Sequence, residues 1–167
     1  MDIIAIEAAI IDRLAPLRTA GVWVRGLPDQ AKDLGIPNIK GIVTVYWDKT
    51  KFDDPDSTGA IVQWANLQFV IEFRLRSLRE VTGAYPAIRY ICNRLIGFQP
   101  PRSRKISFVD HEFMGEKEKF WVHQLRLTVP TQIFEISDDA GLILLKQITL
   151  EDGYGGVVVN QASLFLN

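Results

Sequence analysis

Ile3, Ile6, Ile10, Leu14 and Leu17 recur at steps of three and four, which puts them on one face of an amphipathic helix. Asp2 suits the N-cap of that helix and Gly21 its stop. Pro16 should shorten the last turn, since it lacks a backbone donor and crowds the carbonyl four residues back. "VWVRGL" (22–27) reads as a short strand, and "PDQAKDLG" (28–35) as a turn of helix or an exposed loop. "KGIVTVYW" (40–47), β-branched and aromatic, predicts another strand, and "KTKFDDPDSTG" (49–59) is turn chemistry and charge. Strict alternation follows: Leu67, Phe69, Ile71, Phe73 and Leu75 against Gln68, Val70, Glu72, Arg74 and Arg76. Period two over ten residues predicts a strand with one buried and one largely solvated face, the mark of an antiparallel sheet.

The stretch "SLREVTGAYPAIRYICNRLIGFQPP" (77–101) returns to helical spacing, with Ala84, Ile88, Ile91 and Leu95 on one face. Thr82 is a candidate cap, or the helix starts later with Pro86 at its first position. Gly97 suits the stop, and Pro100–Pro101 forbid continuation. "KISFVDHEFM" (105–114) and "KFWVHQLRLTVPTQIFEI" (119–136) form a hairpin pair around "GEKE" (115–118). On its second strand Trp121, His123, Leu125, Leu127 and Val129 share a side, and Pro130 fits only an edge or a bulge. After a turn at "SDDAG" (137–141), "LILLKQITL" and "GVVVNQASLFLN" read as two short strands around "EDGYGG". The sequence therefore predicts an α+β fold: a largely antiparallel or mixed β-sheet with two main helices packed on one face, a long loop or β-arm at 48–59, and extra C-terminal strands. Residues 1–137 form the α+β domain, and 138–167 an extension, as a hairpin or strand-adding arm.

A chain of 167 residues fits one domain with an appendage. The formal net charge of −1 argues against a strong electrostatic grip on nucleic acid or an anionic membrane. A single cysteine makes no internal disulfide, the N-terminal stretch lacks the positive region of a signal peptide, and no run reaches membrane-spanning length. These features predict a protein made and kept in the cytoplasm.

Candidate chemistry is sparse. Cys92 adjoins the apolar face of its helix, so it reads as a small buried hydrophobe rather than a nucleophile. His111 and His123 lie on adjacent predicted strands and can approach, but two imidazoles lack the third fixed ligand of a metal site. His123, aligned with Trp121 and Leu125, reads as half-buried packing. Asp48, Asp53, Asp54 and Asp56 do not have EF-hand spacing. "EDGYGG" lacks the frame and lysine of a phosphate-binding loop, and "PRSRK" (101–105) has no interleaved aromatics, so it reads as a solvated turn or charged rim. No catalytic residue, cofactor or metal site is predicted.

The order of the pieces is more telling. A helix, a strand ending in "VTVYW", a long loop, the alternating strand that exits into "RLRSLRE", and "GAYPAIRYICNRLIGFQPP" together resemble the tail terminator family of bacteriophages, in its contractile-tail branch, over roughly 1–136. The resemblance implies a non-enzymatic structural protein that needs no cofactor. Such proteins form a homo-hexameric ring on the head-proximal end of the tail tube, stop tube and sheath polymerisation, and supply the surface that the neck joins. Its partners would be its own copies, the tail tube protein, the sheath protein and a neck or head-completion protein. Neither a membrane nor a specific nucleic-acid sequence would be bound, although DNA can pass through the lumen. The protein would act in the host cytoplasm during assembly and reside at the neck-proximal end of the virion tail. Interface contacts are expected from the 48–59 loop (Phe52, Asp53, Asp54) and from the apolar 142–167 extension (Leu144, Val158, Leu164, Phe165). The alternatives are another neck ring, such as a head-completion or stopper protein, and a small metal-dependent enzyme using the Asp-rich loop with His111 or His123.

Overall fold

The computed structural model describes residues 1–28, 40–55 and 62–135. Its elements follow the predicted order: α1 (Ile3–Leu14), a 3-10 turn (Ala15–Ala20), β1 (Val22–Gly26), β2 (Gly41–Phe52), β3 (Val62–Leu75), α2 (Ala84–Leu95), β4 (Ser107–Lys117) and β5 (Phe120–Phe134). The residues 28–35 expected as a helical turn or loop lie outside the described residues from 29 onward, as do the strands expected beyond 135. With them go Leu144, Val158, Leu164 and Phe165.

Both helices begin and end for local reasons. The Asp2 carboxylate accepts from the Ala5 N–H at 3.0 Å, satisfying one of the free donors of the first turn of α1. The α-helical pattern stops at Leu14, and Pro16 opens the tighter 3-10 turn that Gly21 closes in the left-handed conformation. Thr82 does not cap α2; Gly83 does, without any side-chain bond. The cap is dispensable because the carbonyls of Ser77 and Leu78 take the Ala84 and Tyr85 N–H groups at 2.9 and 3.0 Å. Gly97, at φ +72°, ends the helix as expected, and its N–H turns to the Ile106 carbonyl.

The strands form one mixed sheet in the order β1-β2-β3-β5-β4, in which β1 and β2 are parallel and all other pairs antiparallel. β3 is the centre: it pairs along its length with β5 and over Ala65–Leu75 with β2. Leu67, Phe69, Ile71, Phe73 and Leu75 are all fully buried, and Ile6, Ile10, Leu14, Ile91 and Leu95 of the helices belong to the same core. The helices thus cover one face of the sheet. Its opposite face carries Thr44, Tyr46, Glu72, Arg74, Gln124 and Arg126, as the alternation requires.

Of the loop and the β-arm expected at 48–59, the first part is the arm, because β2 continues through Lys49, Thr50, Lys51 and Phe52 against Gln68, Leu67, Asn66 and Ala65. Both strands of the arm take their main-chain bonds from each other, which needs no apolar side chains. Two local readings change. The hairpin turn is not "GEKE" but Glu118–Lys119, since Lys117 pairs directly with Phe120. Near that turn burial departs from simple alternation, with Phe120 and Val122 buried as well as His123. Arg76 lies over the Phe120 ring at 5.4 Å, which covers it from the helix-free side.

Pro130, expected at an edge or bulge, sits in β5 beyond the point where β4 starts at Ser107 opposite Thr128. Its carbonyl accepts the Arg104 N–H at 2.7 Å on the side away from β3. A strand residue's N and O point the same way, so the missing donor also faces that side and costs β3 nothing.

Glu118 and Lys119 both have positive φ, +52° and +65°, which identifies a type I′ turn occupied by the wrong residue types. Replacing them together, Glu118→Asn with Lys119→Gly, should raise unfolding stability by about 1 kcal/mol in denaturant titrations. Phe69→Ala, in the fully buried centre of β3, should lower it by about 3–5 kcal/mol in the same assay.

Candidate interaction surface

Beyond the β1–β2 pairing, β2, β3 and β5 continue together as a three-stranded arm. A bulge at Asp48 shifts the register by one, so that Trp47, Thr50 and Phe52 lie on the helix-side face while Lys49 and Lys51 lie on the other. The Trp47 Nε1–H donates to the Thr50 hydroxyl at 3.2 Å, fixing the exposed indole across the bulge. Phe52 is 55% exposed and Phe134, on the neighbouring end of β5, is 62% exposed.

The tip is held by polar bonds. The Asp53 N–H donates to the Trp64 carbonyl at 3.0 Å, and the Gln63 amide donates to the Asp53 carbonyl at 2.8 Å. The Asn66 amide reaches both Asp53 carboxylate oxygens at 3.1 and 3.2 Å. Asp54 follows, exposed. Of the residues expected to form contacts, Phe52, Asp53 and Asp54 are therefore adjacent and presented outward.

On the far flank of the arm, residues 102–105 are pinned to the end of β5. The Thr131 hydroxyl donates to the Arg102 carbonyl at 3.0 Å, the Arg104 N–H donates to Pro130, and Gln99 donates to the Ser103 carbonyl at 2.9 Å. Arg102 is held at a φ of +51°. The Arg104 guanidinium lies 3.7 Å from the centre of the Trp64 ring, a close cation–π contact. Arg102, Ser103, Arg104, Trp64 and Thr131, together with Met1, Pro130, Gln132 and Phe134, line a cleft of about 600 Å³. Sequence reading missed it, because the aromatic partners of "PRSRK" come from β3 and β5 and not from the neighbouring positions.

The helix-free face of the sheet is tied together by charge. Arg74 Nε donates to Glu72 at 2.9 Å, and the Gln124 amide donates to the other Glu72 oxygen at 2.9 Å. Arg126 bridges Asp110 and Glu112 of the edge strand β4 at 2.9–3.1 Å. Partly exposed pairs of this kind contribute little stability each, but they fix side-chain positions on a surface that no helix covers.

The remaining candidates sort themselves by position. Cys92 packs against the core, and burial pushes its thiol above the ordinary value, away from thiolate chemistry. His111 and His123 do meet, with Nε2 of the first 3.0 Å from Nδ1 of the second and the rings stacked. His123 is 3% exposed, more deeply buried than expected, and packs against Phe73 and Phe113. Among the described residues no third acidic, thiol or imidazole group joins them in a metal-binding cluster. His123 pairs with Phe73 at one end of β3, whereas Asp53 contacts Trp64 near the other. Nine strand residues separate them by about 30 Å, so a single site using Asp53 or Asp54 with these histidines cannot form within one chain.

Burial, and secondarily the charge on His111, lowers the His123 pKa below its ordinary value. The unfolded chain therefore binds the His123 proton more tightly than the folded chain does. Stability should fall as pH drops below about 6.5, the unfolded value, and level off once pH passes the folded value. In His123→Leu that component should vanish from the pH profile of thermal unfolding.

Residues 10–152 match the model of a family described as Gp37 protein. No curated protein matches the sequence. Among solved structures, a chain from the virion of a native gene transfer agent particle is similar at 16% identity and a TM-score of 0.46, over 78% of this chain and 96% of that one. The family match spans most of the chain and takes in β1 to β5 together with α2, so this chain belongs to the Gp37 protein family.

Proposed function

We propose that this protein is a structural component of a phage virion that forms a hexameric ring on the head-proximal end of the tail tube. The ring stops tube and sheath growth and supplies the surface to which the neck attaches. Family membership supports the coarser level of this reading, a phage virion structural protein. The finer level rests on the resemblance carried by "RLRSLRE", "GAY" and "RLIGFQPP".

The observation that carries it is the three-stranded arm. It presents Trp47, Phe52 and Phe134 outward, next to a helix-free sheet face set with fixed charges. Exposed aromatic side chains on rigid strands are what a protein–protein contact uses, and different surfaces on opposite sides of one subunit allow head-to-tail contacts that close into a ring.

In this reading the apolar runs within 142–167 (Leu144, Val158, Leu164, Phe165) add contacts to a neighbouring subunit or to the neck. Deleting 138–167 should weaken ring formation or head joining, while normal capping and joining by the truncated protein would remove that segment from the interface. Loss of the whole protein should give tails of uncontrolled length that fail to join heads, seen by negative-stain electron microscopy. Normal-length tails that still fail to join heads would instead assign it to a stopper or head-completion ring on the portal side.

A further inference from the structure

The two flanks of the arm carry opposite charge, and this complementarity identifies which surfaces meet. On the β5 side stand Arg102, Arg104 and Lys105, all exposed, and among the described residues none of the three is in an ion pair. On the β2 side, at the tip, stand Asp53 and Asp54 beside exposed Phe52. Both patches adjoin Trp64, whose carbonyl takes the Asp53 N–H and whose ring lies under Arg104, yet among the described residues of one chain neither Asp53 nor Asp54 forms an ion pair with these cations.

We propose that the acidic arm tip of one copy, Phe52 with Asp53 and Asp54, docks in the cleft of the next copy formed by Arg102, Arg104, Trp64 and Phe134, with exposed Lys105 following Arg104 in the chain. This rests on the reading that the protein assembles with copies of itself, and it names the contact. The cleft is built before any partner arrives: its turn is fixed by the bonds to Pro130 and Thr131, and Arg104 is held over Trp64. The tip is equally fixed, since Asn66 orients the Asp53 carboxylate. Preorganised groups lose little side-chain freedom on docking, which is the usual cost of a charged contact. Apolar surface is matched as well, with Phe52 on one side and Phe134, Pro130 and Trp64 on the other.

Lys49 and Lys51 alternate onto the helix-free side lower on the arm, so the acidic character is confined to the tip. Because the two patches differ, the contact is head-to-tail, the kind that propagates round a ring. Nucleic acid fits the cleft less well. Three cations confined to one turn neutralise few phosphates, and the Trp64 face that a base would stack on is already covered by Arg104.

Charge reversal tests this with the full-length chain. One variant carries Arg102→Glu, Arg104→Glu and Lys105→Glu; the other carries Asp53→Lys and Asp54→Lys. Sedimentation velocity at low salt should show self-association of the parent protein, weakened at least about tenfold in each variant alone. Mixing the two variants in equal amounts should restore it, because each acidic tip then finds a basic cleft and each basic tip an acidic one. Circular dichroism and thermal melting confirm that both variants are folded. A parent protein that stays monomeric at the highest attainable concentration, variants that associate as the parent does, or a mixture that fails to recover would each overturn the proposal. So would a cleft variant that loses binding to a labelled oligonucleotide while its self-association is unchanged. Any of these results combined with uncontrolled tail length on loss of the protein would leave the capping role standing on another contact.

Discussion

The pairing of β3 on both sides governs the rest of the molecule. Its odd-numbered residues build the core under both helices, and its even-numbered residues set the charged face opposite. Because side chains alternate strictly along a strand, the register that buries Phe69 and Phe73 also aims Glu72 and Arg74 outward. The same strand runs back past the bulge at Asp48 to hold the arm, so the position of Phe52 and Asp53 depends on it too.

This arrangement gives the chain two kinds of surface. One is covered and apolar, and it supplies stability. The other is open, and polar groups are held in place by Glu72, Asp110, Glu112, Asn66 and Thr131 rather than left to solvent. An assembly protein benefits from the second kind, since contacts made by fixed side chains lose less freedom on docking. The bulge in β2 and the register shifts in β4 disturb the ladders at positions where an unbroken exposed edge would invite unspecific pairing.

Much of this was legible in the sequence where periodicity was strong. The faces of α1 and α2, the alternation of 67–76, the stop at Gly97 and the nearness of His111 to His123 follow from spacing alone. Where main-chain bonding rather than side-chain pattern decides, the reading was poorer. The strand through Lys49–Phe52 and the I′ turn at Glu118–Lys119 have compositions that point elsewhere, and only the partner strand fixes them. The cleft was invisible for a related reason: Trp64, Arg104 and Phe134 are distant in the chain and meet only after β3 and β5 pair. His123 read as half-buried because its neighbours Phe73 and Phe113 come from other strands.

The central claim is that this chain works as a ring at the end of a tail. A density map of assembled particles by electron cryo-microscopy, focused on the junction of head and tail, tests it most directly. The account predicts a closed ring of this fold seated on the last layer of the tail tube, with the helix layer and arm recognisable in each subunit. Finding the fold elsewhere in the particle, or finding that ring position filled by a different protein, would contradict it.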